Sequence, residues 1–309
     1  MNILFYTNFA NQSQLLKLVK KKFRHSKIFT IKDKLQFEEI DIAMVWNLPD
    51  EIFKKLVNVK LIFSLGAGVD HIINLPSYNR IPIIRIKDPN MRERMFNHVL
   101  SQILNYQLKL KLYQKAQRKK KWLKEQDTFL NNQINLGILG IGYLGSFIAK
   151  KLKKLNYNVL GYKNLPSLVK MPFKIYSGKS INKFINQSDI LISILPSTEK
   201  TKNFINKSFL KNLRKNCLLI NVGRGLSLNE KDLLNYLKNN PNFYVSLDVF
   251  KNEPLKKSHR FWNHPNVTIT PHVAAITDVE SSIDYMYSRF LVFKKNGKIK
   301  SDVNLKKGY

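Results

Sequence analysis

One cysteine in 309 residues, Cys217, excludes an internal disulfide framework and leaves a cysteine-based zinc site without ligands. No apolar run approaches the ~20 residues that a membrane helix needs. The leading apolar stretch Asn2-Ile3-Leu4-Phe5-Tyr6 is short and has no basic segment before it, so no signal peptide is expected. These absences predict a cytoplasmic protein without a metal or a membrane contact, and Cys217, inside an apolar strand, reads as a core residue. What is present is ample for real cores: hydrophobic residues make up 44% and aromatic residues 11%, which excludes wholesale disorder. The length suits two domains better than one.

Acidic residues are the second scarcity. There are 21 of them against 53 Lys and Arg, a formal charge of +32. Such a balance normally points to nucleic acid or an anionic surface. Only ten of the cations are arginine, however, and the lysines are spread along the whole chain. The densest clusters, Lys20-Lys21-Lys22 and Arg118-Lys119-Lys120-Lys121, fall in helical patterns and read as solvated faces. Base readout favours clustered arginine and stacking aromatics, so no specific nucleic-acid partner is expected. A coding bias toward lysine is a second reading of the charge, and a basic field would still draw in small anions.

Short apolar runs at residues 3–6, 42–46, 61–65 and 83–86 read as strands, with helical spacing at 14–23 and 51–57 between them. Residues 92–117 contain no glycine or proline and predict one long amphipathic helix. A second alternation follows, with strands at 136–139, 158–162, 189–195, 217–222, 244–248 and 267–270. Helical stretches at 146–155, 181–186, 202–213 and 230–237 separate them, and a last helix is expected over 278–293. Strand-helix alternation favours parallel sheets covered by helices. The simplest architecture is two doubly wound α/β domains, the second inserted into the first, with the last helix returning to the first sheet.

Gly140-Ile141-Gly142-Tyr143-Leu144-Gly145 follows one strand and opens a helix with Ile148, Leu152 and Leu155 on one face. That is the setting of a dinucleotide-binding turn. The first glycine permits the tight turn, the second lets backbone amides approach a pyrophosphate, and the third lets helix pack on strand. An acid about 20 residues on would select NAD through the adenosine ribose. The next strand ends instead in Leu160-Gly161-Tyr162-Lys163-Asn164, with no acid through Lys170. Lys163 there would attract a 2′-phosphate, which favours NADPH with NADH as the alternative; it also reads as one more surface lysine.

Three later strand ends carry further candidates. Arg224 lies in Gly223-Arg224-Gly225, Glu253 in Asn252-Glu253-Pro254 and His272 in Thr270-Pro271-His272. Taken singly, they read equally as an ion-pair partner, a turn residue and a loop histidine. Together they suit reduction of a 2-oxo acid. A fixed guanidinium holds the carboxylate and polarises the carbonyl, an imidazole gives the proton, and a carboxylate orients that imidazole.

At these residues the chain resembles the D-isomer-specific 2-hydroxyacid dehydrogenases. The resemblance rests on Ser64-Leu65-Gly66-Ala67-Gly68-Val69-Asp70, the glycine loop, Leu195-Pro196-Ser197-Thr198, the stretches 221–225 and 247–254, and 264–275. It implies a Rossmann cofactor domain at 95–275 inserted into a flavodoxin-like substrate domain at 1–94 plus 276–309. It implies a catalytic set of Arg224, Glu253 and His272. Cofactor contacts would come from Gly140, Gly142, Tyr143, Leu144, Gly145, Lys163, Pro196, Thr198, Val222, Gly223 and Asp248, the last at the nicotinamide carboxamide. The substrate carboxylate would lie on backbone amides around Ala67, Gly68 and Val69, beside Arg224. Trp46 would border the substrate, although it reads equally as a core tryptophan. The implied activity is NADPH-dependent reduction of small 2-oxo acids such as glyoxylate and hydroxypyruvate, in a homodimer. Asn97 stands where the family usually has glutamate, and neither His71 nor His98 falls in a catalytic motif position. The rivals are NAD-linked oxidation of another D-2-hydroxy acid, or a cofactor sensor associated with nucleic acid. A module that only senses cofactor has no need of a proton donor.

Overall fold

The computed structural model describes residues 1–124, 126–164, 166, 170–276 and 278–304. It divides into two compact units, Met1–Met91 with Thr277–Tyr309, and Arg92–Ile276. The first contains β1 (Asn2–Tyr6), α1 (Gln12–Lys22), β2 (Lys27–Phe29), β3 (Ile42–Val45), α2 (Asp50–Phe53), β4 (Leu61–Ser64), α3 (Asp70–Ile73) and β5 (Ile83–Arg85). Helix α4 (Pro89–Gln107) then carries the chain into the second unit. There follow α5 (Leu110–Arg118), β6 (Asn135–Leu139), α6 (Tyr143–Lys154), β7 (Asn158–Lys163), β8 (Lys174–Ser177), α7 (Ile181–Ile185), β9 (Ile190–Ser193), α8 (Lys207–Lys211), β10 (Leu218–Asn221), α9 (Glu230–Asn239), β11 (Tyr244–Leu247) and β12 (Val267–Ile269). The last helix, α10 (Val279–Asn296), belongs to the first unit again.

Both sheets are parallel throughout. The first has the order β2-β1-β3-β4-β5, which is the flavodoxin-like order. The second runs β12-β11-β10-β9-β6-β7-β8, the Rossmann order with a seventh strand added beyond β11. Strands β3, β4, β9 and β10 are buried at every residue. Continuous apolar runs are what a parallel sheet covered on both faces requires. In the first unit α10 closes the core by packing on α1: the Phe23 ring meets Tyr287 edge-on at 5.1 Å and Phe290 at 5.2 Å. Beyond α10 the amide of Asp302 donates to Ile83 O at 2.8 Å, tying the tail to β5.

Three local expectations are corrected. The long helix over 92–117 is two helices, because Lys109 takes a left-handed conformation (φ 53°) between α4 and α5. The buried Gln107 side chain ends the first of them by donating to Phe129 O at 2.7 Å and accepting from the Tyr157 hydroxyl at 2.7 Å. The helix over 202–213 shrinks to α8, since Asn203 is left-handed (φ 51°) and Ile205 bridges to Leu228. Strands β2 and β8 escaped the pattern because both are short sheet edges carrying exposed lysines.

At the carboxyl ends of β10 and β11 backbone meets backbone more closely than a side chain allows. A Cβ on Gly223 would lie 2.5 Å from Leu195 O, and one on Gly225 would lie 1.9 Å from the Phe250 carbonyl carbon. Arg224 is therefore pinned between two crowded positions. Overpacking against backbone costs about 3 kcal/mol, so Gly225→Ala should lower the urea midpoint of the full chain substantially. An unchanged midpoint would show that the two loops separate freely.

Candidate active site

Strands β6 and β9 are neighbours, and the order of connection reverses between them. In open α/β sheets this switch point is where ligands bind, beyond the carboxyl ends of the strands. The glycine turn stands there. Gly140 has φ +108°, open to glycine and strained for other residues, and a Cβ on it would lie 2.9 Å from Ile194 O. A Cβ on Gly145 would sit 2.0 Å from Gly140 O, so this glycine lets α6 press onto the turn. Gly142 differs: a Cβ there meets nothing within 4 Å, leaving its backbone open to a ligand at the start of α6. The turn therefore fits a dinucleotide phosphate, with amides and open space in the places such a group needs.

The other expected cofactor positions surround the same strand ends. Tyr143 is partly exposed, with the Arg92 guanidinium 5.7 Å from its ring centre, and Leu144 packs against the core. Lys163 is the last residue of β7, half-buried, and aligned with Ser177. Beyond β9, Pro196 O accepts from the Thr201 hydroxyl at 2.6 Å while the Thr198 amide donates to Thr201 Oγ1 at 2.9 Å, which closes that loop. Val222 is buried, and its amide donates to Ser193 O at 3.1 Å.

Arg224, Glu253 and His272 come together beside these loops. His272 Nδ1 lies 2.7 Å from Glu253 Oε2, and Glu253 Oε1 accepts from the Phe250 amide at 2.9 Å. Arg224 Nη1 donates to Gly223 O at 3.0 Å. Its charge acts on Glu253. Burial alone would raise the Glu253 pKa, yet the hydrogen bonds from His272 and Phe250 and the charges of His272 and Arg224 together pull it below the usual carboxylate value. An imidazole held at Nδ1 by a carboxylate keeps Nε2 for giving or taking a proton.

Asp248 holds the loop that carries His272. It is only 1% exposed. Its Oδ1 accepts from the Thr270 hydroxyl at 2.6 Å and the Val273 amide at 2.9 Å, and its Oδ2 from the Ala274 amide at 3.0 Å. Its backbone carbonyl takes the His272 amide at 2.8 Å, with His272 itself at φ 56°. This supporting role, and that of Thr270, escaped the sequence reading. Nearby on α4, Asn97 is exposed, and burial holds the His98 imidazole below its ordinary pKa against the opposing charge of Asp248. Cys217 is a fully buried core thiol pushed up to about 12 by burial. Among the described residues no group of three or more His, Cys, Asp or Glu could hold a metal ion.

The remaining expected contacts belong to the first unit. Trp46 is half-buried, its ring 5.4 Å from Phe9 and 4.2 Å from His71. Ala67, Gly68 and Val69 form the turn between β4 and α3. Ser64, at the end of β4, bonds to this turn and to His71. Neither Ser64 nor His71 had been given a role.

The Glu253–His272 pair has a signed pH dependence. Because the folded pKa of Glu253 is depressed, its stabilisation is complete above the unfolded value of 4.5 and is lost as pH falls through the lower folded value. The urea-midpoint gap between wild type and Glu253→Gln should hold near neutrality and close as pH drops below 4.5. A gap that does not narrow at all as pH falls from neutrality toward the acid-unfolding limit contradicts the pairing.

Known proteins bear on this arrangement. Residues 100–274 match the D-isomer specific 2-hydroxyacid dehydrogenase, NAD binding domain. Glyoxylate/hydroxypyruvate reductase A of Yersinia enterocolitica is 31% identical over an alignment of 317 positions covering 100% of both chains. A probable 2-hydroxyacid dehydrogenase from Rhizobium etli, solved with NADP, HEPES and L(+)-tartaric acid, has a TM-score of 0.91 at 27% identity, over 100% of this chain and 99% of that one. The NADPH-dependent glyoxylate/hydroxypyruvate reductase of Sinorhizobium meliloti, solved with NADP and sulfate, also scores 0.91, at 28% identity and the same coverage. With its two parallel sheets, its glycine turn at the switch point and these full-length likenesses, the chain belongs to the D-isomer specific 2-hydroxyacid dehydrogenase family of NAD(P)-dependent enzymes.

Proposed function

We propose that this enzyme reduces small 2-oxo acids, glyoxylate and hydroxypyruvate among them, with NADPH. The observation that carries the reading is the 2.7 Å contact between His272 Nδ1 and Glu253 Oε2, at the strand ends that also bear Arg224 and the glycine turn. In this reading the second unit is the cofactor domain and the first is the substrate domain. The glycine turn and the loops at Pro196, Thr198, Val222 and Gly223 hold the dinucleotide. Lys163 stands at the position that distinguishes a 2′-phosphate from a bare ribose, and residues 158–170 contain no acid to favour NAD. The solved relatives from Rhizobium etli and Sinorhizobium meliloti contain NADP, which supports the same preference.

A bound nicotinamide supplies the hydride that the carbonyl carbon accepts. The chain's own residues supply the rest. Arg224 binds the substrate carboxylate and polarises the adjoining carbonyl, a role that its permanent charge and forked donors suit. On the first unit, backbone amides of Ala67, Gly68 and Val69 offer donors for a substrate carboxylate, and Trp46 borders the substrate. His272 Nε2 gives its proton to the carbonyl oxygen as negative charge builds there, completing the hydroxyl. Glu253 holds the ring at Nδ1 and so fixes where Nε2 points. Asp248 keeps the His272 loop in place, and the second lone pair of its Oδ2 suits a donor such as the carboxamide.

Steady-state rates with glyoxylate and hydroxypyruvate, each with NADPH and NADH, test the reading. Wild type should turn over both acids and prefer NADPH, and His272→Asn should lose about 10²–10⁴-fold in kcat with NADPH affinity retained. Equal efficiency with NADH removes the cofactor assignment, and full turnover in His272→Asn removes the proton donor. We also infer a homodimer, supported by the large apolar side chains that the second unit exposes: Leu108, Leu110 and Leu112 at 41% each, Phe129 at 64% and Trp122 at 98%. Sedimentation equilibrium should give twice the chain mass, and a monomer at micromolar concentration refutes it.

A further inference from the structure

We propose that His71 and Ser64 form a positioning relay that sets the peptide planes of the Ala67, Gly68 and Val69 turn and so tunes affinity for the substrate carboxylate. The inference rests on the reading above, in which those amides hold that group. It concerns Ser64 and His71, to which the sequence assigns no role.

The relay has a fixed direction. The Asn47 amide donates to His71 Nδ1 at 3.1 Å. A backbone N–H only donates, so Nδ1 carries a lone pair and the ring is neutral with its proton on Nε2. Nε2 lies 3.1 Å from Ser64 Oγ and donates to it. The Ser64 hydroxyl spends its own proton on a carbonyl, Gly68 O at 2.8 Å, with Gly66 O at 3.1 Å as the second acceptor. Each link in such a chain polarises the next.

The consequence for the turn is geometric. In a trans peptide the carbonyl and the following N–H point in opposite directions. Drawing Gly68 O toward Ser64 therefore turns the Val69 amide away from it, and holding Gly66 O does the same for Ala67. Gly66 O is held from a second side by the Ile86 amide at 3.3 Å. Among the described residues no protein group accepts from the amides of Ala67, Gly68 or Val69, so these donors are open to a ligand.

Two further features serve the same arrangement. Asn47 presents its amide from a left-handed conformation, φ 53°, which asparagine tolerates better than most residues. The Trp46 ring lies tilted against the His71 ring, centroids 4.2 Å apart, and fills the space at Gly66, where a Cβ would lie 2.2 Å from it. A side chain at position 66 would displace the tryptophan that braces the imidazole.

Substitutions separate the two links. Ser64→Ala removes one buried oxygen and the grip on Gly68 O. His71→Asn keeps an acceptor for the Asn47 amide but does not reach Ser64, whereas His71→Gln reaches Ser64 with an amide donor. In the full-length enzyme at saturating NADPH, Ser64→Ala and His71→Asn should raise the KM for glyoxylate about tenfold, with kcat within about twofold. The NADPH dissociation constant, read by fluorescence, should not move, and His71→Gln should recover part of the KM. An unchanged KM in Ser64→Ala overturns the relay, as does a loss confined to kcat. Should His71→Asn fail to fold, Ser64→Ala, the smaller change, decides alone. Wild-type turnover with unmoved KM in the variants defeats the relay and leaves the functional reading standing; a wild type that reduces no 2-oxo acid removes both.

Discussion

The approach of backbone to backbone at the carboxyl ends of β6, β9, β10 and β11 sets where the glycine turn, Arg224 and the Glu253 loop of the second unit stand. Gly140 and Gly223 press on the segment after β9, Gly145 on Gly140, and Gly225 on Phe250. Because these loops touch through main chain, none can shift without moving its neighbour. Arg224 lies inside that succession, and Glu253 is joined to it through the Phe250 amide. Packing of this kind is short-ranged and stiff, which is what a site needs if its groups are to stay within hydrogen-bonding reach of one another.

Charge acts on a different scale. The +32 balance suggests a partner of opposite sign, but the site's electrostatics are local. Glu253 is held anionic by the hydrogen bonds from His272 and Phe250 and by the nearby Arg224 charge, against the cost of its burial. Dispersed surface lysines beyond about 10 Å contribute a screened field at physiological salt. They favour the arrival of small anions without deciding which group gives the proton. The same separation explains why lysine clusters such as Lys20-Lys21-Lys22, in the last turn of α1, call for no ligand. Cations there complement the helix dipole; Lys20 and Lys21 are exposed, and Lys22 pairs within the chain with Asp284 and the Tyr287 ring.

Most of the fold was legible because parallel sheets buried on both faces demand apolar runs, and residues 42–45, 61–64, 190–193 and 218–221 are such runs. What escaped was decided by contacts distant in sequence. Lys27 and Lys174 head edge strands that only their neighbours in the sheet define. Lys109 breaks a helix with no local signal, since glycine and proline are the only residues whose intrinsic preference announces a break. Arg224, Glu253 and His272 were found through their positions after apolar runs, a purely local cue. His71 falls in no catalytic motif position, and its partner Asn47, 24 residues away, reaches it from a left-handed backbone that the sequence does not announce. Motif position separates His272 from His71 and His98 in the sequence, whereas what His71 touches shows only in the fold.

The use of a carboxylate at Asp248 follows from what a left-handed His272 requires. A residue at φ 56° withdraws its amide from any regular ladder, and the two that follow leave theirs without strand partners. A buried donor such as the Ala274 amide costs about 1–3 kcal/mol if left unmet. One carbonyl serves a single direction, whereas a carboxylate offers about four lone-pair sites on two oxygens. Asp248 answers with its own carbonyl for His272 and its side chain for Val273, Ala274 and the Thr270 hydroxyl. An asparagine of the same shape would turn one acceptor into a donor, facing either the Ala274 amide or the pair from Thr270 and Val273. The negative charge is thus a structural requirement of the loop before it is anything to a ligand, and the orientation of the His272 ring inherits from it.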